Sequence, residues 1–162
     1  LKGDLGVGWW CETAYRSSSS AWNAHIQSMV GMDYSWPLFQ SFYTALQFYY
    51  DGSGVSDRSL YNRALQLTGQ RSTLGQHYGM FQTQIQIDNQ WTVSGFGLLS
   101  LLDRSGMGAL YLSCYLEPSW QFDGGYVATF GDTGDEFVLG SSDDPTNLFA
   151  ESTLFVWLRY YW

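Results

Sequence analysis

Histidine is scarce in this chain, with His25 and His77 its two copies, and proton chemistry would begin there. Alternation along residues 22–34 puts His25 on one side of a strand with Gln27 and Asp33, and Glu12 belongs to the same wall. An acid beside a histidine is the base-and-orienter pair of a hydrolase. No serine is uniquely placed beside it, so a solvated or hydrogen-bonded histidine is favoured, and neither an enzyme nor a catalytic residue is expected. His77 falls at the end of a loop and reads as loop chemistry. Five acids gather in Asp132, Asp135, Glu136, Asp143 and Asp144, a density of oxygen ligands that could take calcium. The spacing lacks the closing glutamate of an EF-hand loop, so the expectation is a solvated acidic loop without a metal. Cys11 and Cys114 have no metal spacing. Gly6, Gly8, Gly124 and Gly125 form no phosphate loop and fit strands, where glycine relieves curvature or crowding. No cofactor is expected.

The elements that must position these residues are strands. Alternation with period two recurs along the whole chain. Over 5–15, Leu5, Val7, Trp9, Cys11, Thr13 and Tyr15 face away from Trp10, Glu12 and Ala14. Over 22–34, Trp22, Ala24, Ile26, Ser28, Val30, Met32 and Tyr34 face away from His25, Gln27, Met29 and Asp33. The same pattern sets Phe42, Leu46, Phe48 and Tyr50 against Tyr43, Ala45, Gln47 and Tyr49 over 38–50. Over 78–88 it opposes Phe81, Thr83, Ile85 and Ile87 to Gln82, Gln84 and Gln86. Residues 92–103 form a strand of ambiguous phase. Over 109–117, Leu110, Leu112, Cys114 and Leu116 oppose Tyr111, Ser113, Tyr115 and Glu117. Over 120–130, Trp120, Phe122, Tyr126 and Phe130 oppose Gln121, Asp123, Gly125 and Thr129. An eighth strand over 152–162 carries Leu154, Val156, Leu158, Tyr160 and Trp162 on one side and Arg159 on the other. Helical period appears once, over 56–69, with Ser56 able to cap it, Leu60, Ala64 and Leu67 on one face, and Gly69 able to end it; an irregular loop is the alternative.

The connections alternate too. They are tight at 35–37, 88–90 and 118–119, long at 52–77 and 131–150, and intermediate at 16–20 and 104–108. The composition suits one domain, 1–162, with 19% aromatic residues and 14% charged ones, against about 25% charge in ordinary soluble domains. The net charge of -8 argues against nucleic acid as a partner. No stretch approaches the roughly 20 apolar residues of a membrane-spanning helix. Leu1 begins in patterned sequence, and the expectation is that a leader, or more, has been removed or omitted.

Short turns at one end, longer loops at the other and strands of bilayer-crossing length describe an all-β, antiparallel transmembrane β-barrel of eight strands, with one short helix in a long external loop. Trp9, Trp22, Tyr34, Tyr50, Trp120, Phe130, Tyr160 and Trp162 fall near strand ends, where amphipathic rings form the girdles of such barrels. Glu12, His25, Gln27, Asp33, Gln47, Gln82, Gln84, Gln86, Glu117, Asp123 and Arg159 then line the lumen. In lipid every backbone polar group needs a partner, so the last strand is expected to close the barrel against the first. Leu154, Val156, Leu158, Tyr160 and Trp162, ending on an aromatic residue, resemble the C-terminal assembly signal of outer-membrane proteins. Chain order keeps Cys11 away from Cys114, so free thiols are expected. In an open pore the luminal acids would favour cations. A barrel of only eight strands is just wide enough to be filled by rings such as Trp10, Tyr43, Tyr49, Tyr115 and Trp157, and a filled interior is expected if these strands are the whole.

The segments Met32-Asp33-Tyr34, ALQFYYDG over 45–52, SDRSLY over 56–61, LGQHY over 74–78, GDTGDEF over 131–137 and FVWLRYYW over 155–162 come in that order. Together they resemble the C-terminal half of a group of porin-like outer-membrane proteins of Gram-negative bacteria, from about residue 30 onward. The chain departs by ending on Trp where Phe is commoner. Members of that group are longer, so the eight strands are either a whole barrel or the last eight of a larger one. The resemblance implies an outer-membrane location and contact with lipid and lipopolysaccharide. It also implies insertion by the barrel assembly machinery, with other outer-membrane or periplasmic subunits as further partners. Passive passage of small solutes is the expected function. The alternative is a structural or interaction barrel with a plugged lumen. A soluble, lipocalin-like barrel would need its apolar rows turned inward.

Overall fold

The structure, a computed structural model, describes residues 6–17, 24–117, 119–138 and 152–161. Eight strands form one antiparallel sheet: β1 Gly8–Arg16, β2 His25–Trp36, β3 Ser41–Asp51, β4 His77–Gln86, β5 Trp91–Ser100, β6 Gly106–Glu117, β7 Trp120–Phe130 and β8 Ser152–Tyr160. Their order in the sheet is their order in the chain. Consecutive strands pair as hairpins, which is what short antiparallel connections allow.

The ladders keep one phase across the sheet. Ala14 lies opposite Gln27, Gln27 opposite Asp51, Gly31 opposite Gln47, and Gln47 opposite Met80. On the far side Tyr111 lies opposite Gly125 and Asp123 opposite Trp157. One face therefore collects the glutamines and acids, and the other collects the aliphatic and aromatic rows. β5 resolves its ambiguous phase by putting Thr92, Ser94, Phe96, Leu98 and Ser100 on the polar face. Phe96 and Leu98 are the reason its sequence reads both ways.

The polar face is the enclosed one. Ala45, Asp51, Tyr78, Ser100, Ala109, Gln121 and Asp123 are all buried there. The apolar rows are open: Trp9 is 80% exposed, Leu154 76% and Leu110 59%, with Val30, Met32, Leu46, Phe81, Val156 and Leu158 exposed as well. This is the reverse of a soluble barrel, in which apolar side chains fill the inside. Rings cluster toward the turn end of the open face. Tyr34 meets Trp36 edge-on at 4.7 Å, Trp36 stacks on Phe42 at 5.9 Å, and Trp120 lies 4.8 Å from Tyr160. Toward the loop end, Tyr50 lies 5.3 Å from His77. Trp22 and Trp162 lie outside the described residues.

The expected closure of the last strand on the first is not present among the described residues. β8 pairs with β7 and makes no contact with β1. Without that closure the rings of Trp10 and Trp157 are not brought together from opposite walls, and Glu12, Trp157 and Arg159 remain exposed on the polar face. Cys11 is exposed, Cys114 buried, and both are free, as their separate strands require.

Local chemistry sets the ends of the strands. Asp88 Oδ1 accepts from the backbone of Gln90 at 2.7 Å and of Trp91 at 2.8 Å, an Asx turn that reverses β4 into β5. β2 runs on through Trp36, one residue past the expected start of its turn, and the reversal uses residues 37–40 with Phe39 at φ 59°. The helical signal appears as two short pieces: a 3₁₀ turn Arg58–Leu60 and α1 Arg63–Leu67. Asp57, in place of Ser56, caps the first by accepting from Ser59 N, and Gly69 at φ 69° ends the second.

Two glycines exist for their neighbours' rings. Trp10 lies across Gly31, and Phe155 lies across Gly125, so a Cβ at either position would collide with the ring. Gly97 has open space instead. Gly125→Ala is expected to lower stability by about 1–3 kcal/mol through that collision, while Gly97→Ala leaves the unfolding midpoint within error or raises it. Equal midpoints for the two variants would show that the Phe155 contact is not used.

Candidate functional site

The enclosed face carries nearly all the residues assigned to the lumen from sequence. Glu12, His25, Gln27, Asp33, Gln47, Gln82, Gln84, Gln86, Asp123 and Arg159 share its register. Glu117 follows a register shift after Tyr115 and pairs with Trp120. Two groups of polar residues form along this face. Near the turn end Asp123 accepts from the Ser113 hydroxyl at 2.7 Å and the Gln121 amide at 2.9 Å, with the Arg159 guanidinium at 3.0 Å. Tyr161 donates to Gln121 at 3.0 Å. On β2 and β3 Tyr43 donates to Asp33 at 3.0 Å.

His25 does not meet the acids expected for it. Asp33 is eight residues along an extended strand, about 27 Å away, and it serves Tyr43. The acid near His25 is Asp51, with Nε2 to Oδ1 at 4.0 Å. Asp51 also accepts from the backbone and hydroxyl of Ser53 at 2.9 and 2.6 Å, and Arg71 lies 3.6 Å from its other oxygen. These groups border a cavity of about 750 Å³ under residues 70–73 of the long loop. Arg16, Tyr49, Met80, Leu98, Met107 and Phe137 complete its main walls.

The second feature of the loop end is a latch, and sequence reasoning missed it. Glu136 was expected in a solvated acidic loop, yet Glu136 is 0% exposed and Asp135 1%. The Glu136 carboxylate accepts from the backbone N–H groups of Leu74 and Gly75 and from the Tyr78 hydroxyl at 2.8 Å. Its own N–H donates to Asp103 at 2.8 Å. Asp103 also accepts from the Tyr61 hydroxyl at 2.9 Å and from Ser105 N at 3.0 Å. Arg58 holds Asp135 at 2.7 Å, and Arg63 donates to the carbonyls of Gly134 and Asp135. Three connections, after β3, β5 and β7, are thereby tied to one another. Among the described residues no group of acids, histidines or cysteines could hold a metal ion. Asp143 and Asp144 lie outside the described residues.

The latch's signal in the sequence is weak. The donors to Glu136 are 58 to 62 residues away and are mostly backbone. Only the run Gly-Asp-Thr-Gly-Asp-Glu over 131–136, with Gly131 and Gly134 at positive φ, marks a tightly folded segment.

No family profile, curated protein or solved structure matches the chain.

The two latch carboxylates are shifted in opposite directions from their ordinary values. Burial pushes Glu136 above the usual carboxylate range, against the opposing donors of Leu74, Tyr78 and Gly75. Burial also pushes Asp103 upward, but donation from Glu136 N–H and Ser105 outweighs it and the group sits below its ordinary value. Glu136 therefore adds stability as pH falls through its raised folded value toward the unfolded one, whereas Asp103 loses its contribution as pH falls below the unfolded value. Protection of the Leu74 and Gly75 amides, corrected for intrinsic exchange, is expected to rise on mild acidification and collapse in strong acid. Glu136→Gln should abolish the rise and keep the collapse. Glu136→Ala leaves three donors without an acceptor, and protection there should fall by about 2 kcal/mol or more, roughly thirtyfold.

Proposed function

We propose that this chain forms part of the wall of a porin-like β-barrel in the outer membrane of a Gram-negative bacterium, and that the barrel passes small solutes passively. The observation that carries the reading is the inverted distribution of side chains. Aliphatic and aromatic rows lie exposed along most of the strands, Trp9, Leu46, Phe81, Leu110, Tyr126 and Leu154 among them, and acids and amides lie on the opposite face, where Asp51, Gln121 and Asp123 are buried. Acyl chains are the solvent that suits the first face, and water suits the second. The rings near the strand ends fit the headgroup region, and lipopolysaccharide is the lipid partner at the loop end. The last strand serves as the signal read by the assembly machinery, through Leu154, Val156, Leu158, Tyr160 and Trp162. Among the described residues the outer edges of β1 and β8 have no neighbouring strand, and in lipid they need partners, so the reading includes further strands beside these eight and a ring wide enough for a pore.

A second reading is favoured by the latch. Loops tied across the end of the sheet by Glu136, Asp103 and Arg58 suit a barrel whose lumen is plugged and whose exterior binds another outer-membrane or periplasmic subunit.

Purified protein in planar bilayers separates them. Stepwise conductance supports passage; silence, with a subunit that co-purifies stoichiometrically, supports the plugged barrel. The bilayer assignment has its own test. Leu46 sits mid-strand on the open face and Gln47 beside it on the enclosed face. Leu46→Arg should cost about 2–4 kcal/mol of stability in lipid and Gln47→Arg far less. A protein that stays soluble without detergent and tolerates Leu46→Arg would refute the assignment.

A further inference from the structure

The enclosed face carries an apolar patch where β4, β5 and β6 approach the loops. Met80 stands across the ladder from Leu98, and Leu98 from Met107. Elsewhere the same strands present Gln82, Gln84, Ser94, Ser100 and Ser113 to that side. All three patch residues are half-buried, so part of each hydrocarbon surface is left uncovered. Apolar side chains on a face otherwise suited to water carry a cost that a covering molecule would remove.

The patch borders the cavity of about 750 Å³ beneath residues 70–73. Gln27, Tyr49, Ser72 and Thr73 border the same space and bring amide and hydroxyl groups to it. A few polar groups converging on an apolar wall, in a space of this size, are the usual form of a small-molecule site. The charged groups here are engaged within the wall. Arg71 donates to the Ser53 hydroxyl and lies 3.6 Å from Asp51, which accepts from Ser53 and stands 4.0 Å from His25. Arg16, which also borders the cavity, is exposed to solvent, where an ion pair is worth little. The Arg71 contacts tie the roof to the end of β3, and Glu136 holds Leu74 beside it. A roof held in place without a ligand lowers the ordering cost of binding one.

Two of the four methionines in the chain lie in the patch, and a thioether makes favourable contacts with the edges of aromatic rings. We propose that this cavity binds a small, uncharged aromatic molecule bearing a hydroxyl or amide group. Its ring lies against Met80, Leu98 and Met107, and its polar group meets the amide and hydroxyl groups of Gln27, Tyr49, Ser72 and Thr73. An ionised analogue would give up its hydration without gaining a buried counter-charge that is not already paired. As the solute class for passage this rests on the porin-like reading above; as a binding site it rests on the cavity alone.

Benzyl alcohol is the probe, titrated into the protein in lipid nanodiscs with its methionine methyl groups isotope-labelled and observed by NMR. Met29 shares the enclosed face but does not border the cavity, and Met32 lies on the open face, so both serve as internal controls. The Met80 and Met107 signals are expected to shift saturably. Met29 should stay in place, and Met32 should move at most linearly, as the probe partitions into lipid. Benzoate and benzylammonium should bind at least about tenfold more weakly, and cyclohexylmethanol, which has no aromatic ring, severalfold more weakly. Met80→Gln keeps the side-chain length and adds an amide to a face that already carries several. It should leave the thermal midpoint in place and weaken the probe about tenfold, read at Met107. Linear shifts of equal size at all four methionines overturn the proposal, as does an analogue that binds as tightly as benzyl alcohol or a Met80→Gln variant with unchanged affinity. Saturable shifts with silent bilayers keep the site and remove passage. Conductance without saturable shifts removes the site and keeps passage.

Discussion

Each strand residue in this sheet belongs to one of two environments, and the ladder register decides which. Successive side chains point to opposite faces, so a slip of one residue in any hairpin would exchange a whole row between them. Seven ladders agree in phase from β1 to β8, with a single shift at the end of β6. The glutamines of β4, the Asp33–Tyr43 pair and the Asp123–Arg159 network all lie on one side as a consequence. The glycines under Trp10 and Phe155 serve the same constraint by letting large rings lie flat on the enclosed face.

The loop end follows a different logic. There, backbone N–H groups that no strand satisfies find carboxylates. Glu136 takes those of Leu74 and Gly75, and Asp103 takes those of Ser105 and Glu136. Burying the Glu136 carboxylate is costly, and the N–H groups of Leu74 and Gly75 and the Tyr78 hydroxyl that it accepts from offset that cost. Arginines at positions 58 and 63 reach across to the carbonyls and the carboxylate of the 131–138 segment. The latch leaves Arg71 on the other side of the same loop, where it borders the cavity with His25 and Asp51. Loop order and cavity shape are thus linked through residues 70–75.

Most of the sheet was legible in the sequence because alternation is a local signal. All eight strands stand where the period placed them, within a few residues, and β5 was ambiguous only because Phe96 and Leu98 lie on the polar side. Closure could not be read that way. Nothing in Leu154, Val156 or Leu158 says which neighbour the free edge of β8 takes. The candidate site was legible in membership and illegible in pairing. His25 and Asp33 share a face but sit far apart along the strand, and Asp51, one strand over, takes the place beside the imidazole. Glu136 was missed because its partners are backbone groups, which carry no residue type to recognise.

The direction in which the two faces point is the claim on which the functional reading depends. Nitroxide labels placed one at a time along residues 27–33 of β2, in protein reconstituted into lipid, test it most directly. Collision with molecular oxygen, which concentrates in acyl chains, is expected to peak at positions 28, 30 and 32. Collision with a water-soluble nickel chelate is expected to peak at 27, 29, 31 and 33. Absent or reversed alternation would contradict the account.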